Sequence, residues 1–185
     1  MANQPFGQAS EVEMARMEAH NPARMEPTDA KDSDARLTCW PIAVVMDCSA
    51  LTNNRWQSVQ WEASSVVNDN YPAGSGEQTV EQDAQRTRTV HPGLIIRLYR
   101  DEAEGYLYNI TAPEPKVFVL WRMHESGAKP ERVTVSYHEG ARWMDTDEKV
   151  DGVPLPAALI PWIRAFAEQH YKPEPKKQKR YASNK

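Results

Sequence analysis

Between Leu37 and Tyr171 apolar residues fall mostly into short runs of strand length, and the pattern takes up a helical spacing after "ARWMDTDEKVDGVPLP", which ends at Pro156. "PIAVVMDC" is a continuous apolar run, with Pro41 tolerable at a strand start. "RWQSVQWEASSVV" alternates, placing Val59, Trp61, Ala63 and Val67 on one side. Residues 68–85 read as a turn-rich loop, the one long insertion. "HPGLIIRLYRDEAEGYLYNITA" predicts two strands around an acidic, Gly-closed hairpin turn, with Leu94, Ile96 and Leu98 sharing one face and Tyr106, Tyr108 and Ile110 another. "KVFVLWRM" is apolar on both faces and is expected at a sheet centre. "ERVTVSYHE" alternates, with Val133, Val135 and Tyr137 on one side. Leu159, Ile163, Phe166 and His170 then mark one face of an amphipathic helix, with Trp162 on its flank. Pro161 predicts a kink or a late start for that helix.

This order predicts a mainly β fold with α: six to seven antiparallel strands in a barrel or sandwich closed by a C-terminal helix. The nearest familiar arrangement is the pleckstrin-homology barrel, whose open end is plugged by such a helix. Within "NRWQSVQW", Trp56 and Trp61 lie five positions apart, so a regular strand turns them to opposite faces. Either a bulge or a covered rim position brings Trp56 into the core, or Trp56 is an exposed anchor for a partner.

Composition divides the chain. All six tryptophans, and all tyrosines but Tyr181, lie between Leu37 and Tyr171, whereas residues 1–36 hold one aromatic, Phe6. Residues 1–36 therefore read as a disordered arm, in which "SEVEMARMEAHNP" has the spacing of a short helix. Residues 37–171 read as a single β-rich domain and 172–185 as a basic disordered tail. The formal charge is -4, but the tail carries about +5 and the remainder about -9. An acidic domain without interleaved basic and aromatic positions lacks the footprint of a specific nucleic-acid binder. No signal peptide or spanning segment is visible, and the expected location is the cytoplasm. Cys39 and Cys48 fit reduced, half-buried positions.

Little catalytic chemistry is legible. Gly74 and Gly76 are followed by no Lys-Ser/Thr pair, so no phosphate loop is predicted. The cysteines are not at zinc spacing, and no G-x-S-x-G elbow exists. His124-Glu125 and His138-Glu139 pair an imidazole with a carboxylate, but adjacent strand residues point apart, so both read as turn residues. His91 reads as a turn residue at a strand entry. No catalytic residue, metal ligand or cofactor is predicted, which leaves enzymatic activity unsupported.

The blocks "RWQSVQWE", "LYRDEAEGYLYNITAPEPKVFVLWRM", "TVSYHEGARWMDTDEKVDGVPLP" and "HYKPEPKKQKR" resemble a family of small uncharacterised bacterial proteins encoded beside molybdenum-dependent formate dehydrogenases. The resemblance spans about residues 41–180. Some members carry the label molybdopterin-guanine dinucleotide biosynthesis protein A, an activity that requires an N-terminal Gly-rich nucleotide loop absent from this sequence. The resemblance implies a non-catalytic accessory role in assembling, maturing or regulating such a dehydrogenase, with its subunits or maturation factors as partners. The alternative is an enzyme or carrier in molybdopterin biosynthesis. The candidate partner-binding residues are Arg55 and Trp56, the acidic turn Asp101, Glu102 and Glu104 between Arg100 and Tyr106, and Arg122, expected to face away from Trp121.

Overall fold

The computed structural model describes residues 38–51 and 57–173. The arm 1–36 with its predicted short helix, the tail from residue 174, and Arg55 and Trp56 lie outside the described residues. The elements run β1 Cys39–Ala50, β2 Val59–Asn68, β3 Gln78–Gln82, β4 Arg86–Arg97, a 3-10 turn Arg100–Glu102, α1 Ala103–Thr111, β5 Lys116–His124, β6 Gly127–Thr134, α2 Tyr137–Asp145, β7 Lys149–Pro154, a second 3-10 turn Ala157–Leu159, and α3 Ile160–His170.

The strands form two antiparallel sheets, one of four in the order β2-β1-β4-β3 and one of three in the order β6-β5-β7. The predicted barrel is thereby corrected: among the described residues the ladders stop at β2, β3, β6 and β7, and no pairing joins one sheet to the other. The fold is mixed α/β, with both sheets and two of the helices packed on one core. That core includes Ile42, Val44 and Met46 of β1, Ile96 of β4, Val117, Val119 and Trp121 of β5, Val153 of β7, Tyr106 and Ile110 of α1, and Ile163 and Phe166 of α3. β5 is central in its sheet, as its two apolar faces require.

Three local readings change. The supposed hairpin after Leu98 is the 3-10 turn followed by α1, because Ala103, Tyr106, Leu107 and Ile110 recur at helical spacing and bury one stripe. The apolar alternation ends at Val135, just past β6, and Ser136 caps α2: its Oγ accepts the backbone N–H of Glu139 at 3.2 Å. Tyr137 is thus a helical residue, half exposed, not a third inward strand position. The loop 68–85 contains the exposed edge strand β3, whose polar residues carry no alternation.

The β1–β2 ladder shifts register between Val45, opposite Ser65, and Met46, opposite Ala63, which leaves Ser64 as an extra residue. Inward parity changes there. Ala63 and Val66 are both buried, and Val67, expected inward, is 42% exposed. α3 starts late, at Ile160, as Pro161 predicts: in the first turn its missing N–H forfeits no intrahelical bond. Cys39 and Cys48 are free and half-buried. No helix among the described residues is long and apolar enough to cross a membrane.

Candidate functional site

β2 and β7 are edge strands of different sheets, and they approach without a backbone ladder. Asp151 of β7 joins them. Its Oδ2 accepts the backbone N–H of Ala63 at 2.7 Å and the indole Nε1–H of Trp121 at 2.7 Å. Both donors would otherwise be left unpaired in a partly buried setting, so the carboxylate fixes the Trp121 ring and the spacing of the two edges.

Beside this tie, toward the start of β7, opens a groove of about 370 Å³ lined by Gln57, Val59, Trp61, Trp121, Met123 and Lys149. Trp121 is buried, Trp61 half-buried, and Met123 51% exposed. The Lys149 ammonium sits 4.9 Å from the centre of the Trp121 ring. Trp61 lies against Gly127, where an added Cβ would come within 2.9 Å of the indole and where the backbone has φ +121°. Only glycine meets both demands there. The groove therefore presents two indoles held in place, a flexible thioether and one cation.

A second groove, of about 280 Å³, runs between β4 and β6 past Ile95, Arg97, Tyr99 and Glu131 to Val133. Most of its charges are internally matched: Arg132 bonds Glu139 at 3.0 Å and Glu131 takes Arg122 at 2.6 Å.

The structure scatters the residues expected from sequence. Arg100 and Asp101 are exposed at the 3-10 turn, not at a hairpin tip. Glu102 is mostly buried. It accepts from the Ser136 hydroxyl and from Arg142 at 2.5 Å, tying the start of α1 to α2. Burial pushes its carboxyl upward, but those two bonds outweigh this and hold it below the usual range. Gly105 permits the approach, since a Cβ there would meet Ser136 Oγ. Glu104 is exposed near Tyr108 and Tyr171. Tyr106 is wholly buried. Its hydroxyl accepts the Tyr99 N–H at 2.8 Å, and burial drives its pKa far upward. Arg122 is exposed and faces away from buried Trp121, bonding Glu131 and Glu148.

The imidazole–carboxylate neighbours do not pair with each other. His124 lies 3.3 Å from Glu131, and His138 sits among Tyr108 and Tyr137 while Glu139 bonds Arg132. His91 is buried, not a turn residue. Its Nε2 has no partner among the described residues, and Glu77 lies 3.8 Å from Nδ1. On the outer face of the four-stranded sheet the buried Asp47 carboxylate takes Arg88 at 2.8 Å and also Arg86. Among the described residues no group of three His, Cys, Asp or Glu side chains converges as a metal site.

Trp61 reads from the sequence as a core residue, and no local pattern singles out Gln57, Met123 or Lys149. Their convergence depends on β2, β5 and β7, strands far apart in sequence whose adjacency no local pattern reveals.

Residues 41–180 match the family described as protein of unknown function (DUF3305), and the chain belongs to that family. Comparison with the curated proteins and with the solved structures gave no match.

Proposed function

We propose that this chain is a non-catalytic binding module that assists assembly, maturation or regulation of a molybdenum-dependent formate dehydrogenase, docking on an enzyme subunit or a maturation factor. The observation that carries the binding reading is the groove itself. Two tryptophans and a methionine, the residue types in which binding energy concentrates, line an open surface beside one cation. Asp151 orders that surface in advance, so little conformational freedom is lost when it is covered. The choice of enzyme rests on the resemblance of the sequence blocks.

Affinity isolation of the tagged full chain from cells expressing the dehydrogenase operon tests the proposal. The expected result is recovery of a dehydrogenase subunit or maturation factor, reduced by Lys149→Glu. Recovery of neither under gentle conditions, or stoichiometric pterin in the purified protein, would overturn it.

A further inference from the structure

We infer that the groove takes an extended peptide as an added β-strand on the open edge of β2, with an apolar side chain between Trp61 and Met123 and a carboxylate at Lys149. This rests on the docking role assigned to the groove and specifies the chemistry of what docks.

Hydrogen-bond parity in β2 carries the inference. Leu51 N–H donates to Ser58 O at 2.9 Å, so alternate residues Ser58, Gln60 and Glu62 direct their backbone groups to β1. Val59, Trp61 and Ala63 direct theirs the other way. Ala63 demonstrates it, since its N–H crosses the gap to Asp151. The outward N–H and C=O groups of Val59 and Trp61 have no such partner among the described residues, and they open on the groove that their own side chains line.

Opposite them the described residues leave room. β7 begins at Lys149, paired with Trp121, while β5 continues through Arg122 and Met123 to His124 with only β6 beside it. The gap that Asp151 bridges thus widens past Lys149 into a wedge with no strand of the described residues on its open side. Exposed strand edges are ordinarily blocked by proline, lysine or a bulge. The segment Val59–Trp61 has none of these, and the β2 bulge lies beyond it at Ser64.

A peptide strand docked there gains main-chain bonds from β2, and its alternate side chains enter the groove or face outward. Lys149 is the one charged side chain among the described residues of the lining, so an acidic residue beside the inward apolar one complements it. The occupant is therefore a segment of a partner chain with alternating apolar positions and an acidic neighbour.

The test uses the full chain as bait for a phage-displayed library of random linear peptides, followed by affinity measurements on the enriched sequences as synthetic peptides. Enriched peptides are expected to carry apolar residues at alternate positions with Asp or Glu nearby. Lys149→Glu should weaken them about tenfold, and N-methylation of alternate backbone amides about tenfold, with the intervening amides insensitive. An unchanged urea midpoint in Lys149→Glu excludes unfolding as the cause. Peptides sensitive to Lys149→Glu but indifferent to N-methylation would overturn strand addition and leave the docking groove standing. Enrichment of no groove-dependent peptide, or concentration-dependent self-association abolished by Lys149→Glu, would overturn the assignment of a partner peptide. Recovery of dehydrogenase components in the affinity isolation is read separately and decides the wider proposal.

Discussion

Asp151 and Trp121 are hydrogen-bonded across neighbouring strands at 2.7 Å, and the same carboxylate oxygen holds the Ala63 N–H of the other sheet. One side chain therefore sets both the orientation of a groove-lining indole and the distance between the two sheet edges. Asp151→Ala should destabilise the domain by about 2 to 3 kcal/mol, because two donors lose a charged acceptor. Asp151→Asn should recover part of this, since its amide oxygen still accepts. Urea unfolding of the two variants, with near-ultraviolet circular dichroism reporting on the indole, checks the order.

Gly127 should tolerate no side chain. Gly127→Ala places a Cβ against the Trp61 indole and forces alanine to φ +121°, at an expected cost of about 2 kcal/mol. A shift in tryptophan emission together with a lower urea midpoint is the expected signature.

Acid stability should depend on Asp47. Burial alone would raise its pKa, but hydrogen bonds from Arg88 and Arg86 overcome this and lower it from 3.8 to about 2. Because the folded value lies below the unfolded one, the contribution is full above about pH 4 and disappears as pH falls toward 2. It amounts to about 2 kcal/mol. Chemical denaturation of the wild-type protein and Asp47→Asn across this range should show the pH-dependent step in the former and a smaller one in the latter.

His91 should produce a second step with the same sign. Burial lowers its pKa below the ordinary 6.5, with Glu77 opposing and Lys129 reinforcing the shift. The unfolded chain takes up this proton more readily, so stability should fall as pH drops below about 6.5. His91→Phe should flatten the dependence of melting temperature on pH between about 5 and 7. Titration of the His91 ring protons by NMR locates the folded value directly.

The legible parts of the fold were those where side-chain period and chain punctuation agree. β1 and β5 announce themselves as apolar runs, and the late start of α3 follows from Pro161 ahead of Ile163, Phe166 and Ala167. α1 reads as a strand in the sequence because Tyr106, Tyr108 and Ile110 imitate strand alternation, and aromatic residues favour strands. The helical stripe Ala103, Tyr106, Leu107, Ile110 was present in the same letters. The N-terminus of α2 was equally available: Ser136 and Glu139 have capping-box spacing, and the Ser136 bond to the Glu139 N–H is formed. β3 leaves no trace, since every residue from Gln78 to Gln82 is exposed. The groove was hidden for a different reason. Trp61, Trp121 and Lys149 each satisfy a local pattern alone, and only the edge-to-edge approach of two sheets brings them together.

Site-specific photocrosslinking tests the docking surface most directly. A benzophenone amino acid placed at Met123, exposed in the groove, should crosslink a formate dehydrogenase subunit or maturation factor in cells expressing the enzyme, and Lys149→Glu should suppress the product. The same probe at Tyr108, exposed on α1 and outside the groove lining, should give none. Products from Tyr108 but not Met123, or from neither position, would contradict the account.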